Sequence, residues 1–202
     1  MDIPSVLGFF GMLIDLVRAA PQLVHLLRVR KSFGVSVDTS GTSSIVSFGW
    51  ATYGFITGQP YVMLASGLMA TIFFINTVIA LRLGRSVREF RIAPFWLVVL
   101  LLSGLLFGKS GLGMILSVSA LVSSIPQIRV AYRESDLSGL SLGTWLLSLS
   151  GGLVWGAYGL LKRDLSIIAS AFFQITTSVT IISLKISRQP KDNLPVSDLL
   201  PD

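Results

Sequence analysis

An acidic and a basic residue stand three positions apart inside the first apolar stretch of the chain. Asp15 and Arg18 lie about twelve residues into a mostly hydrophobic run that begins near Ile3. Residues at i and i+3 share a helix face, so the two side chains can pair. Because unpaired charges in an apolar medium are costly, the pair is a candidate functional site. Three interpretations remain open: a proton relay through Asp15, recognition of a charged solute, or a structural pair that fixes the helix.

Two tryptophans, Trp50 and Trp155, are candidates for the walls of a binding site. Each is followed by a tyrosine and a glycine, so the motif Trp-x-x-Tyr-Gly occurs twice. Flat rings on two facing helices would enclose a sugar or another ring-shaped solute. The alternative is that both are ordinary interfacial residues, since tryptophan concentrates where a membrane meets water.

Two Pro-Gln pairs, Pro21-Gln22 and Pro126-Gln127, interrupt otherwise helical patterns. A proline inside a helix removes a backbone hydrogen bond and kinks the helix, and a neighbouring glutamine can bond the freed backbone groups. Each pair is predicted to form a hinge. The alternative is a fixed bend that only shapes the helix bundle.

These motifs recur because the chain contains an internal duplication. The stretch 21–54 aligns with 126–159 without a gap, at a constant offset of 105 residues (126 − 21). The charged pair is not duplicated, since Ala120 and Ser123 occupy its equivalent positions. A repeat in apolar surroundings indicates a membrane protein whose two similar halves enclose a site. The identical pairs are Pro21/Pro126, Gln22/Gln127, Arg28/Arg133, Gly34/Gly139, Ser36/Ser141, Thr39/Thr144, Ser43/Ser148, Trp50/Trp155, Tyr53/Tyr158 and Gly54/Gly159.

The composition indicates which solvent the fold must satisfy. Hydrophobic residues make up 52% of the 202 residues and charged residues 13%, with a mean hydropathy of +0.76. A soluble domain needs more polar surface, so lipid is the predicted solvent. The chain has no cysteine and a single histidine, His25, so we predict no metal site and no cofactor. No catalytic triad or complete dinucleotide loop is recognisable, and we do not expect an enzyme.

Seven stretches are candidates to cross the ~30 Å hydrocarbon core of a bilayer at ~1.5 Å per residue. The second and the fourth are short, but removing either would break the match between the two halves. The prediction is an all-α membrane protein of seven transmembrane helices, with two parallel three-helix repeats joined by a linker helix. The predicted organisation is a first repeat at 1–83, a basic connector and linker at 84–110, a second repeat at 111–186 and a disordered tail at 187–202. The predicted spans are Ile3–Leu27, Thr42–Thr57, Tyr61–Leu83, Ala93–Phe107, Leu112–Tyr132, Leu142–Leu161 and Leu165–Ile186.

Basic residues are distributed unevenly around these spans. Of the 16 lysines and arginines, only Lys109, Lys162 and Arg163 flank one side, Arg18 lies inside a span, and the others flank the opposite side. The positive-inside rule places the basic side in the cytoplasm, so the N-terminus is predicted outside and the C-terminus inside, in the plasma membrane. The net charge of +6 then faces anionic headgroups. The expected partners are the lipid bilayer and a small-molecule solute, not nucleic acid, and a homo-oligomer is left open.

The repeated motifs resemble those of the PQ-loop superfamily. Each half contains Pro-Gln, then Gly-x-Ser about a dozen residues later, then Trp-x-x-Tyr-Gly at the outer end of the second span. The stretch 153–169 is similar in particular to the SWEET and SemiSWEET branch of sugar transporters. The resemblance covers nearly the whole chain. It implies a SWEET-like fold and alternating access around a central site.

The resemblance also implies a substrate site. In the family, the repeated tryptophan pairs with an asparagine sixteen residues further along. Here these positions hold Ser66 and Ala171, so one hydroxyl and one methyl replace two amides. Gln174, one turn beyond Ala171, is predicted to supply an amide instead. The implied site, formed by these three residues with Trp50 and Trp155, differs between the two halves.

An outer gate is the second feature that the resemblance implies. Tyr53 and Tyr158 lie near the outer ends of their spans, and Asp164 closely follows the second tyrosine. In the family, the corresponding tyrosines help to close the extracellular side. The alternative is an aromatic belt at the membrane surface.

Three functions are compatible with these features. The first is facilitated transport of a small polar solute, above all a sugar, by alternating access between the repeats. The second is a proton-coupled carrier of an amino acid or another charged solute, which would use Asp15 and Arg18. The third is a non-transporting membrane receptor with the same fold, because fold alone does not determine function.

Overall fold

The computed structural model describes residues 2–29, 36–133 and 142–188, and the regular elements in these ranges are helices. Five helical stretches in these ranges are long and apolar enough to cross a membrane. The predicted cytoplasmic tail lies outside the described residues from position 189 onward. The elements are α1 (Ile3–Val29), α2 (Val37–Ile56), α3 (Pro60–Arg82), a short 3-10 helix (Val87–Glu89), the stretch Ile92–Arg133 that contains α4 and α5, α6 (Leu142–Lys162) and α7 (Leu165–Arg188).

The stretch Ile92–Arg133 folds back on itself at Gly108. This glycine has φ 59° and ψ −148°, a conformation open almost only to glycine, and it divides the stretch into α4 (92–107) and α5 (109–133). The two helices pack side by side and run antiparallel. Trp96 precedes the glycine and Ser119 follows it, and the Trp96 indole donates a hydrogen bond to Ser119 Oγ at 2.8 Å. The turn separates the predicted fourth span from the fifth. The described chain therefore contains seven long helical segments.

The two three-helix repeats share one packing order. In the first repeat α3 packs between α1 and α2, and in the second α7 packs between α5 and α6. The glycine of each Trp-x-x-Tyr-Gly motif lies where the following helix passes closest. A methyl group on Gly54 would lie 2.6 Å from the Met63 backbone nitrogen, and one on Gly159 would lie 3.1 Å from that of Ile168. The close approach of the two backbones explains why the repeats share this glycine.

The repeats meet along two seams related by the same pseudo-twofold axis. On one seam α1 packs against α6, and on the other α2 packs against α4 and α5. Each seam has a glycine under a large side chain: the Trp155 ring lies over Gly11, and Leu116 lies over Gly49. The symmetric seams bring the inner faces of both repeats together around a common centre.

Helix α2 begins at Val37, earlier than the predicted start at Thr42. The difference is one polar turn, which an apolar window does not detect. Ser36 caps this turn by accepting a hydrogen bond from the Thr39 backbone N–H at 3.2 Å. Val37 itself is fully buried, so the added turn is packed into the protein.

Asp38, in the same turn, attaches the linker helix to the first repeat. Its carboxylate accepts hydrogen bonds from the backbone N–H groups of Arg91, Ile92 and Ala93 at 2.9–3.0 Å. These groups belong to the first turn of α4, where helix N–H donors have no partner within the helix. The acidic side chain also complements the positive end of the helix dipole. The linker is therefore held at one end by Asp38 and turns at the other end at Gly108.

Candidate functional site

A cavity of about 210 Å³ lies between the two repeats. Its lining comes from α1, α2 and α3 of the first repeat and from α5, α6 and α7 of the second. All five residues of the predicted substrate site lie on its wall, and so do both members of the charged pair. The lining residues are Asp15, Arg18, Ser47, Trp50, Val62, Ser66, Met69, Phe73, Ala120, Trp155, Ile167, Ser170, Ala171 and Gln174.

Most of this lining consists of equivalent positions from the two repeats. Five pairs of lining residues are 105 positions apart, which is the offset of the duplication. The cavity is therefore centred on the pseudo-twofold axis. Only the tryptophan pair is identical in type, so the chemistry of the two walls differs. The pairs are Asp15/Ala120, Trp50/Trp155, Val62/Ile167, Ser66/Ala171 and Met69/Gln174.

Asp15 is hydrogen-bonded on both of its carboxylate oxygens. Its Oδ1 lies 3.2 Å from Arg18 Nη2, and its Oδ2 accepts the indole N–H of Trp155 at 2.9 Å. The Arg18 guanidinium also reaches Ser148 Oγ, at 3.5 Å. The two charged side chains are 16% and 32% exposed, respectively, so both keep contact with the cavity. The pair thus links α1 of the first repeat to α6 of the second.

The two cavity tryptophans have equivalent geometry but different hydrogen bonding. Trp50 meets Tyr53 edge-on with ring centroids 5.5 Å apart, and Trp155 meets Tyr158 in the same way at 5.4 Å. Both rings line the cavity and pack against the buried core, which disfavours the interfacial alternative. The Trp155 N–H is held by Asp15, whereas within the described residues Trp50 Nε1 makes no hydrogen bond. The two tryptophan walls of the cavity therefore match in shape, but only the Trp50 N–H is left without a partner among the described residues.

Gln174 is fixed against α6. Its amide nitrogen donates to the Ser148 backbone carbonyl at 2.8 Å and lies 3.4 Å from Ser148 Oγ. Gly151 and Gly152 allow this approach, because a methyl group on either would lie within 3.5 Å of the Gln174 side chain. The predicted amide therefore reaches the cavity, with its nitrogen already engaged by the protein. Ser148 was not predicted to lie at the site, although it is identical to its equivalent in the first repeat, Ser43.

Two of the predicted outer-gate residues, Tyr53 and Asp164, belong to a hydrogen-bonded cluster across the repeats. The Tyr53 hydroxyl lies 2.9 Å from both oxygens of Asp164, and Gln59 Nε2 donates to the same carboxylate at 2.6 Å. Asp164 also caps α7 by accepting the backbone N–H groups of Ser166 and Ile167. Gln59 was missed in the sequence, although it stands 105 positions before Asp164 and is its equivalent.

The second predicted gate tyrosine differs from the first. Tyr158 is fully buried, and its hydroxyl has no hydrogen-bond partner among the described residues. Gln59 Oε1 is also buried without a partner there. The structure therefore brings Tyr53 and Asp164 together and leaves Tyr158 in the core beneath them.

The predicted hinge residues stay untested. Helices α1 and α5 continue through Pro21 and Pro126 as helix. The side chains of Pro21, Gln22, Pro126 and Gln127 lie outside the part of the chain whose side chains are described. The hinge at each Pro-Gln pair therefore stays a prediction, and a fixed bend stays the alternative.

The chain matches a known family model in part of its sequence and a known transporter in its fold. Residues 110–168 match the family model of the PQ loop repeat. A eukaryotic SWEET transporter, solved at 3.7 Å resolution, is similar in structure with a TM-score of 0.71. The two chains are 15% identical, and the similarity covers 93% of this chain and 99% of that one. No significant sequence match was found among curated proteins.

These findings define the class of protein. The chain carries a PQ-loop repeat and has the all-helical fold of a SWEET transporter, which makes it an integral membrane protein. The resemblance and the fold class predicted from the sequence are confirmed. The family model covers α5, α6 and the first residues of α7, and the offset of 105 residues relates the first repeat to the second.

Proposed function

We propose that the protein is a facilitative carrier of a small uncharged solute, specifically a sugar, that works by alternating access between its two repeats. The observation that carries this proposal is the cavity on the pseudo-twofold axis, with an indole ring from each repeat in its wall. A site between two similar bodies can open to either side when they rock against each other. The hinges at Pro21-Gln22 and Pro126-Gln127 would accommodate that motion.

The size and chemistry of the cavity support a sugar. Its volume of about 210 Å³ lies below the ~300–1,000 Å³ typical of pockets for drug-sized ligands, which favours a smaller solute. Aromatic faces suit the apolar face of a sugar ring, and hydroxyls suit its edge. Ser66 provides such a hydroxyl in the first repeat, and Ser47 and Ser170 provide two more.

The membrane arrangement is part of the proposal. The N-terminus would lie outside and the C-terminus in the cytoplasm of a cell with the protein in its plasma membrane, because basic residues concentrate on one side. The repeats would comprise 1–83 and 111–186, with 84–110 as connector and linker. Tyr53 and Asp164 would form the outer gate. The sequence and the fold suggest no enzymatic role.

A thermal-shift screen tests the proposed solute class. A ligand that binds the folded protein raises its Tm by mass action, whatever the transport mechanism. Sugars, amino acids and vitamins are screened against the purified protein. The proposal predicts that the Tm rises with one or more sugars and that the rise is lost in Trp50→Ala. Stabilisation by amino acids alone would contradict it.

The second candidate is a proton-coupled carrier of a charged solute. It is favoured by one observation, the position of Asp15 and Arg18 on the cavity wall. An acidic group in a membrane transport pathway can bind and release a proton as access alternates. Uptake into proteoliposomes under an imposed pH gradient separates the candidates. Acceleration by the gradient that disappears in Asp15→Asn would favour this candidate over the sugar uniporter.

A further inference from the structure

The two cavity tryptophans differ in what their indole N–H groups contact. Trp155 Nε1 donates to Asp15 Oδ2 at 2.9 Å. The residue equivalent to Asp15 in the second repeat is Ala120, whose methyl group cannot accept a hydrogen bond. Trp50 Nε1 makes no hydrogen bond to any described residue. The first repeat thus contributes an acceptor to the tryptophan of the second, and the reverse contribution is missing.

Both indole rings have the same placement relative to their own helix. The ring centroids of Trp50 and Tyr53 lie 5.5 Å apart with an interplanar angle of 83°, against 5.4 Å and 79° for Trp155 and Tyr158. Since Trp155 Nε1 donates to Asp15, we expect from the internal duplication that Trp50 Nε1 faces position 120, the equivalent of position 15. Trp50 and Ala120 both line the cavity. Both ends of the expected contact, the Trp50 ring and Ala120, therefore lie on the cavity wall.

We propose that the solute supplies this acceptor: an oxygen atom of the bound solute lies beside Ala120 and accepts the Trp50 indole N–H. The inference rests on the proposed function and extends it, because it gives the solute one preferred orientation. Its acceptor oxygen faces the α2/α5 seam, while Trp155 and its bound carboxylate form the opposite wall. Trp50 lies on the cavity wall and its Nε1 is not among the buried atoms that lack a partner, so a solute in the cavity can accept this N–H.

The charges around the cavity indicate which kind of oxygen fits. Asp15 and Arg18 are the charged residues in its lining, and they are in contact, so their formal charges cancel. Among the described lining residues, an anionic oxygen at Ala120 would find no positive charge that is not already paired. A hydroxyl, ether or carbonyl oxygen needs none. The solute class is therefore a neutral oxygen-bearing molecule, as a sugar is, and not a carboxylate or phosphate.

The matched substitutions Trp50→Phe and Trp155→Phe test the inference. Both remove the same atoms from equivalent rings and keep an aromatic wall. In sugar-free buffer, Trp50→Phe should keep the wild-type Tm, because the Trp50 N–H has no partner among the described residues. Trp155→Phe should lower the Tm, because it leaves an oxygen of Asp15 without its donor. An equal loss of Tm in both variants would overturn the inference.

Solute binding provides the second measurement. Dissociation constants for D-glucose, D-fructose and sucrose are measured by calorimetry for the wild type and Trp50→Phe. The substitution should weaken binding of the sugar that the wild type binds by about tenfold, which corresponds to one buried hydrogen bond. An unchanged Kd would overturn the inference while leaving the proposed sugar carrier intact.

A third variant decides the case in which the wild type binds none of the three sugars. That result counts against the proposed function, and Ala120→Asn then tests the acceptor position directly. Its amide oxygen would accept the Trp50 N–H, so its Tm should exceed that of the wild type, and Ala120→Asn with Trp50→Phe should lose the gain. A Tm that is unchanged or lower in Ala120→Asn would overturn the inference.

Discussion

The Tyr53 hydroxyl donates a hydrogen bond to the Asp164 carboxylate, whose two oxygens both lie 2.9 Å away. Tyr53 is on α2 of the first repeat and Asp164 immediately precedes α7 of the second, so this contact joins the repeats at one end of the cavity. The pseudo-twofold axis relates it to a second pair, Tyr158 and Gln59. Tyr158 and Gln59 make no hydrogen bond to each other, and Tyr158 Oη and Gln59 Oε1 are both buried without a partner among the described residues. The hydrogen bonding of the two tyrosines is therefore asymmetric.

This asymmetry predicts different effects for two matched substitutions. Tyr53→Phe removes a donor to a carboxylate, a bond typically worth about 1.5–3 kcal/mol, and should lower the Tm. Tyr158→Phe removes a buried hydroxyl that has no partner, so the Tm should be unchanged or higher. Thermal unfolding of the two variants in the same detergent measures the difference. Equal losses of Tm would contradict the observed asymmetry.

The proposed outer gate should open more readily when Asp164 is neutralised. Asp164→Asn weakens the bond to Tyr53 because a hydrogen bond to a charged acceptor is about twice as strong as a neutral one. The chain has no cysteine, so Ser66→Cys gives a single probe in the cavity wall. A membrane-impermeant maleimide added to intact cells should label this probe faster when Asp164→Asn is also present. Labelling at the same rate in both backgrounds would argue against a gate at this contact.

The charged pair should be more sensitive to single than to paired replacement. Asp15→Ala leaves Arg18 without its counter-charge, and we expect a loss of about 1–3 kcal/mol, less than for a fully buried pair because Arg18 is 32% exposed. The double variant Asp15→Ala with Arg18→Ser copies the second repeat, which has Ala120 and Ser123 at these positions. Its free energy of unfolding should exceed that of Asp15→Ala alone. If the loss of stability in the double variant equals the sum of the losses in Asp15→Ala and Arg18→Ser, the two residues are not coupled.

The motif glycine should not tolerate a side chain. A methyl group on Gly54 would lie 2.6 Å from the Met63 backbone, which cannot move without separating α2 from α3. Gly54→Ala should therefore destabilise the protein by about 1–3 kcal/mol, the usual cost of overpacking. Gly67→Ala is the matched control, because no atom lies within 4 Å of its added methyl group. Alanine is also the better helix former, so the control should unfold at the wild-type temperature or above. Equal destabilisation of both variants would contradict the close helix contact.

The features that follow from the duplication were predictable from the sequence. Two copies of one unit and a linker required seven spans, even where α4 is short and α2 is rich in small polar residues. The offset also placed Trp50 and Trp155 on equivalent helices. The start of α2 was predicted too late, because the turn from Val37 depends on the cap at Ser36 and on burial, not on hydropathy.

Contacts between the repeats were not predictable in the same way. The hydrogen bond from Trp155 to Asp15 depends on how α6 is rotated against α1, and tertiary packing sets that rotation. The sequence placed Arg18 beside Asp15 because both are on one helix, but it contained no reason to choose Trp155 as the second partner. Gln59 could have been found, since it occupies the position equivalent to Asp164. Its role as a donor to that residue could not, because equivalent positions need not touch.

The most direct test of a sugar carrier is sugar uptake by the purified protein. Radiolabelled D-glucose, D-fructose and sucrose are offered to proteoliposomes that contain the wild type, Trp50→Ala or Trp155→Ala. The account predicts saturable uptake of at least one sugar, acceleration by the same sugar preloaded inside, no dependence on a pH gradient, and loss of uptake in both variants. Wild-type rates in both variants, or uptake of none of the sugars by the wild type, would contradict it.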